Sequence, residues 1–213
     1  MSIVVITCDL IQSKDLSERS EIQENLKETI KFVNKEYSEK ILCPFVIIWG
    51  DSFQGALKSL KGFYKIIEIF EENISTSFRC GIGIGEISTK ISSTTLEMDG
   101  QVFHRSKNAL NIAEKNHWQI YIQSGNEIFD EMINTIFILL YEIKTSWNKR
   151  QKDIIKLRRK GWTYKKIGKE EGISKQTVHK ILKAAQWKSA SKAISTLNKI
   201  VTPNFENNLE DDP

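Results

Sequence analysis

Phe45-Val46-Ile47-Ile48-Trp49-Gly50-Asp51-Ser52-Phe53-Gln54-Gly55-Ala56-Leu57 is the stretch on which the fold class turns. Phe45 to Trp49 is β-branched and aromatic, Gly50-Asp51 is a turn-forming pair, and Ser52 to Leu57 resumes strand character. Two strands joined by a two-residue turn are the expected result. On the N-terminal side, Ile3 to Thr7 reads as a buried strand. Ser17 to Tyr37 reads as a helix, with Leu16, Ile22, Leu26, Ile30 and Val33 at helical spacing and Ser17 as candidate cap. On the C-terminal side, Ser59 to Glu72 places Leu60, Phe63, Ile66, Ile67 and Phe70 on one helical face. Phe78 to Ile87 is a strand punctuated by Gly81, Gly83 and Gly85, the mark of a close approach by another element. A helix over 101–116, a strand over 118–123 and a helix over 126–146 follow. The order β-α-β-β-α-β-α-β predicts an α+β domain, a mixed sheet with helices packed on it.

Charge divides the 213-residue chain. Residues 1–143 hold 14 Lys and Arg against 20 Asp and Glu, whereas 144–202 hold 17 against 3. The end, 203–213, has four acids and no base. Three segments are therefore expected: an acidic domain over 1–145, a basic domain over 146–202, and an acidic, disordered tail over 203–213. A basic block of this density seeks a polyanion, nucleic acid being the usual one, unless it is only a solubilising surface.

The run from Trp162 to Leu182 says which. Thr163 and Ser174 can each cap a helix, Gly172 suits a left-handed turn between them, and Gly168 lets two crossing helices nearly touch. Ile167, Ile173, Val178, Ile181 and Leu182 make one apolar surface that Ile154, Ile155 and Leu157 can close. This is the pattern of an all-α helix-turn-helix domain. Its second helix carries Lys175, Gln176, Thr177, His179 and Lys180 outward, in position to enter the major groove of DNA. Gln176 suits an adenine edge, and lysines suit guanine or phosphate. Arg158, Arg159, Lys160, Lys165, Lys166 and Lys183 are candidate phosphate contacts. The plainer alternative is a helical hairpin that binds protein.

In the acidic domain, Asp9 ends the first strand and Asp51 sits in the hairpin turn. If those strands are neighbours, two carboxylates converge at one sheet edge, as Mg²⁺ bound to a nucleoside triphosphate requires. The alternative is that Asp51 only forms a turn beside Gly50 and Asp9 only ends a strand. Cys8, Cys43 and Cys80 are odd in number, widely spaced and without a Cys-x-x-Cys pair, which argues against a disulfide framework or a zinc site and fits a reducing cytoplasm. The apolar start is too short for a signal peptide. Met132 to Ile143 contains Asn134 and is too short to span a bilayer, so no membrane role follows.

Cys8-Asp9-Leu10-Ile11 followed by Gly50-Asp51-Ser52-Phe53 resembles the metal-binding strand and hairpin of class III nucleotidyl cyclases. It is also similar to the GGDEF diguanylate cyclases, with Trp49-Gly50-Asp51-Ser52-Phe53 at their signature, and Arg79 to Gly85 resembles a glycine-containing strand of the class III enzymes. That resemblance implies a palm-like, ferredoxin-like fold, a homodimer, and Asp9 and Asp51 as metal ligands. The whole arrangement is closer to the bacterial SatD family, a cyclase-like domain joined to a helix-turn-helix. The residues behind this are Asp9 with Ser13, Gly50 to Phe53, Met98 to Arg105, Gln151, and Ala184-Ala185-Gln186-Trp187.

The departures are specific. His104 and Asn108 stand where class III enzymes carry a transition-state Asn and a catalytic Arg, with Arg105 and Lys107 nearby as possible substitutes. Ser52 stands where many diguanylate cyclases carry an acid, and Trp49 where their motif has its first glycine. Loss of one transition-state cation costs several kcal/mol and can leave a binding domain in place of an enzyme. The leading expectation is a dimeric cytoplasmic DNA-binding regulator that senses nucleotide or Mg²⁺. An active nucleotidyl cyclase tethered to DNA and a ligand-free dimerisation module are the alternatives.

Overall fold

The computed structural model describes residues 2–11 and 16–200, with the side chains of all but 16–18. Ser13 and the acidic tail lie outside the described residues, and Ser17, the proposed cap, stands inside the first helix, which begins at Leu16. Chain contacts divide the protein into two units, residues 1–137 with 197–213, and residues 138–196.

The first unit contains β1 (Ile3–Leu10), α1 (Leu16–Glu36), β2 (Ile41–Trp49), β3 (Ser52–Leu57), α2 (Phe63–Asn73), β4 (Phe78–Gly85), α3 (Gln101–Lys115) and β5 (Ile120–Gln123), and α4 (Glu127–Thr145) begins in it. The sheet order is β2-β3-β1-β4-β5, antiparallel except for the β4–β5 pair, so the expected mixed sheet is present. β1 runs three residues beyond Thr7, because Cys8, Asp9 and Leu10 pair with β4 and the first two also with β3. β2 begins four residues earlier than Phe45. It accommodates Pro44 because it is an edge strand whose register against β3 shifts between Cys43 and Val46.

Alternation along β1 gives the sheet two different faces. Val4, Ile6, Cys8 and Leu10 join the side where Phe70 of α2 meets Phe53 and Phe45, with ring centroids 4.8 and 5.3 Å apart. Ile3 and Val5 lie on the α3 side, against Val102 and Met98. Here the glycines of β4 explain themselves. A Cβ on Gly81 would stand 2.1 Å from the Ser106 carbonyl oxygen, and one on Gly83 2.1 Å from that of Val102. The backbone of α3 thus lies directly on the strand. The Ser106 hydroxyl and the Thr7 hydroxyl, 2.5 Å apart, join helix to sheet, and Gln54 donates to Thr7 at 2.8 Å.

Each edge strand is held by one asparagine. Asn34 of α1 donates to the Phe45 carbonyl and accepts from its N–H, both at 2.8 Å. Asn134 of α4 does the same for Ile122 of β5, at 3.0 and 2.8 Å. Asn134 thus ties the apolar helix α4 to the sheet, together with Asp130, which accepts from the Ser124 N–H and hydroxyl just after β5. No described helix is long and apolar enough to cross a membrane.

One expectation is corrected here. Cys8 and Cys80 form a disulfide despite 72 residues of sequence separation. β1 and β4 place them directly opposite, and the Cys80 N–H bonds outward to Gln119 on the β5 side. The pair is thus a non-hydrogen-bonded one, where side chains approach most closely, and the Cα atoms are 4.2 Å apart. Spacing rules for cysteines do not see such a register. Cys43 remains a free, buried thiol whose pKa burial pushes up.

The second unit is helical throughout: the end of α4, then α5 (Lys149–Arg159), α6 (Tyr164–Glu170), α7 (Lys175–Ala184) and most of α8 (Trp187–Lys199). Asn148 and Gln151 form a capping box at the start of α5. Its core is Trp147, Ile154, Ile155, Ile167, Val178, Leu182 and Ala185, while Leu157, Ile173 and Ile181 are half-buried.

Candidate functional site

Two places carry chemistry, one in each unit. In the first, Asp9 lies near the end of β1 and the register pairs it with Ser52 on β3 and Arg79 on β4. Ser52 Oγ donates to Asp9 Oδ1 at 2.5 Å. Asp51 is one residue back in the hairpin turn, where Gly50 has a φ of +54°. The Leu10 N–H donates to the Asp51 carbonyl at 3.3 Å, so the two aspartates occupy the same end of neighbouring strands. The register sets the face of Asp9 but not that of Asp51, which is a turn residue outside the strand pairing. Asp51 borders a small cleft with Leu10, Arg19, Ile22, Gln23, Gly50 and Thr76, on the side where α1 packs. Asp9 alternates with Leu10 and belongs to the α3 side.

No cluster of three or more His, Cys, Asp or Glu side chains occurs among the described residues. The donor set therefore does not suit a dedicated protein cage for a cation. It does suit Mg²⁺, which commonly takes one or two carboxylates and completes its shell with water and phosphate. Asp9 and Asp51 are the residues that would hold it.

Arg105 cannot serve this end of the sheet in the same chain. It donates to the Ile84 carbonyl at 2.7 Å, and Ile84 pairs with Val4, whereas Arg79 pairs with Asp9. Five residues of strand, about 17 Å, separate the two positions. Lys107 and Asn108 are exposed on α3, and His104 lies 3.5 Å from Asp99 on the surface. Sequence reading missed Arg79 and the Ser52 contact. Both follow from the alternation of β1 once its neighbours are known, which sequence alone does not tell.

In the second unit the local signals are all present. Thr163 accepts from the Lys166 N–H and Ser174 from the Thr177 N–H, capping α6 and α7. Gly172 has a φ of +64° in the turn between them. A Cβ on Gly168 would stand 2.6 Å from the Ile173 carbonyl oxygen, so only glycine permits this crossing. Lys175, Gln176, His179, Lys180 and Lys183 of α7 are exposed, as is Lys165 of α6. Thr177 is half-buried, its hydroxyl 2.9 Å from that of Ser174 within the cap. The two arginines also make contacts inside the unit. Arg158 donates to the Trp162 carbonyl at 2.9 Å and lies over the Tyr164 ring, and Arg159 lies over the Trp187 ring. Lys166 does likewise, its Nζ 3.8 Å from the centre of the Trp162 ring, whereas Lys165 is exposed.

Comparison with known proteins gives a family and three structural matches, among them two cyclases. The model described as the SatD family matches residues 3–197. A bacterial light-regulated adenylyl cyclase aligns at 10% identity over 57% of this chain and 74% of its own, with a TM-score of 0.41. The catalytic core of a rhodopsin-guanylyl cyclase with converted specificity, in complex with ATPalphaS, aligns at 13% identity over 52% and 71%, with a TM-score of 0.36. No curated protein matches the chain.

Proposed function

This chain belongs to the SatD family, and we propose that within it the protein is a DNA-binding regulator whose first unit binds Mg²⁺ and nucleotide. The observation that carries the reading is the outer face of α7. Lys175, Gln176, His179, Lys180 and Lys183 are exposed there, on a helix capped by Ser174 and set off from α6 by the Gly172 turn. Such a face combines point charges for phosphate with an amide that can read an adenine edge. α6, the turn and α7 form the helix-turn-helix of this reading. The proposed assembly is a homodimer formed through residues 1–145, which presents two such helices to two half-sites.

The test is direct. Lys175→Ala, Gln176→Ala and Lys180→Ala together should abolish sequence preference without lowering the melting temperature, because all three side chains are exposed. Lys165→Ala should weaken all DNA evenly and reduce the slope of log affinity against log salt by about 0.9. Unchanged retention of both variants on DNA at low salt would assign the basic unit another partner.

For the first unit, Mg²⁺ with a nucleoside triphosphate should raise the melting temperature by mass action, about 2.7 kcal/mol at about 100 times Kd. Asp9→Asn and Asp51→Asn should each remove most of that response at little intrinsic cost. A wild-type melt unmoved by millimolar ligand would end the reading. Release of cyclic product from labelled triphosphate would make the domain an enzyme in place of a sensor.

A further inference from the structure

Four strands present one row of residues across the sheet. Trp49 of β2 pairs with Ser52 of β3, Ser52 with Asp9 of β1, and Asp9 with Arg79 of β4. A bulge between Ile47 and Trp49 leaves Trp49 and Ser52 as the pair that closes the hairpin, and cross-strand partners project to the same face, so the order across that face is indole, hydroxyl, carboxylate, guanidinium. Trp49 is 83% exposed, the most exposed large apolar side chain described, whereas Asp9 and Arg79 are half-buried. A Trp that exposed at a hairpin tip has no packing role in this unit. Its position relative to the polar end of the row is set by strand spacing, about 10 Å from Trp49 to Asp9. A nucleoside triphosphate spans that distance with its base at one end and its charge at the other.

We infer that Trp49 is the stacking platform for the nucleobase of a nucleotide whose Mg²⁺-bound phosphates lie over Asp9 and Arg79. The inference rests on the nucleotide reading above and adds the residue that holds the base. An indole offers a flat π-surface to any base, and the larger faces of purines gain more from it, so purine nucleotides are the preferred class. Ser52 fixes the Asp9 carboxylate toward the row, and Arg79 supplies the cation for the phosphates.

The experiment uses the full chain and two probes, Mg²⁺-ATP and Mg²⁺-tripolyphosphate, which carries the charge without the base. Titration calorimetry of wild type, Trp49→Ala and Trp49→Phe separates the contributions. Trp49→Ala should lose about ten-fold or more in affinity for Mg²⁺-ATP, keep its affinity for Mg²⁺-tripolyphosphate, and melt at the wild-type temperature. Trp49→Phe should recover most of the loss. If wild type binds Mg²⁺-ATP and Trp49→Ala binds it equally well, the platform is refuted and the nucleotide reading stands. If wild type binds neither probe, the nucleotide reading itself falls and takes the platform with it.

Discussion

Gly83→Ala should cost the fold about 3 kcal/mol or more, the upper end of what overpacking does. The added methyl group would meet the Val102 carbonyl oxygen at 2.1 Å and the Ser106 nitrogen at 2.5 Å. Both are backbone atoms of α3, so no rotamer change relieves the contact. The helix is also pinned on either side, by Ser106 against Thr7 and by Arg105 on the Ile84 carbonyl. For a chain of this size such a loss lowers the melting temperature by roughly 10 °C. Gly161→Ala is the informative control. Gly161 has a φ of +81° but nothing within 4 Å of its would-be Cβ, so it tests backbone strain without contact. That change should cost about 1 kcal/mol. Urea midpoints for the two variants decide the matter, and a Gly83→Ala protein as stable as wild type would mean that α3 does not rest on β4.

Reduction of the Cys8–Cys80 bond should lower the stability of the first unit by about 4 kcal/mol. The bond closes a loop of 72 residues, and the chain-entropy account of cross-links gives that magnitude. Cys43 supplies a built-in reference. In denaturant without reductant the chain should show one reactive thiol, and three after reduction. The Cys8→Ala, Cys80→Ala variant should melt near the reduced wild type and ignore reductant. Three thiols in the unreduced protein, with a melt indifferent to reductant, would remove the bond from the account.

The readable parts of this molecule were those in which cause and effect lie close together in the chain. Thr163, Gly172 and Ser174 act on their own turns, and each does what its side chain or lack of one dictates. The alternating glycines of β4 announced a close neighbour, although not that it was α3. Asp9 and Asp51 were expected at one sheet edge if their strands were adjacent. The strands are adjacent, and the two residues lie at the same end of them, Asp9 opposite Ser52 and Asp51 one residue back in the turn. What sequence could not supply was register across distant strands. Cys8 opposite Cys80, Arg79 opposite Asp9 and Trp49 in the same row all depend on it. Arg158 and Arg159 illustrate a different gap. Their charge suggests phosphate contacts; what only folding reveals is the aromatic neighbours Tyr164 and Trp187, over whose rings the guanidinium groups lie.

Asn34 and Asn134 have a consequence at the level of many molecules. An open sheet is a template, and a passing strand extends it by pairing with whatever backbone groups its rim still offers. Here each rim has one backbone N–H and one C=O already engaged by an amide from a helix of the same chain. A strand arriving at β2 or β5 must break two good hydrogen bonds before it can make its own there, and it must displace a helix to do so. Growth by strand addition is disfavoured at both rims of the five-stranded sheet.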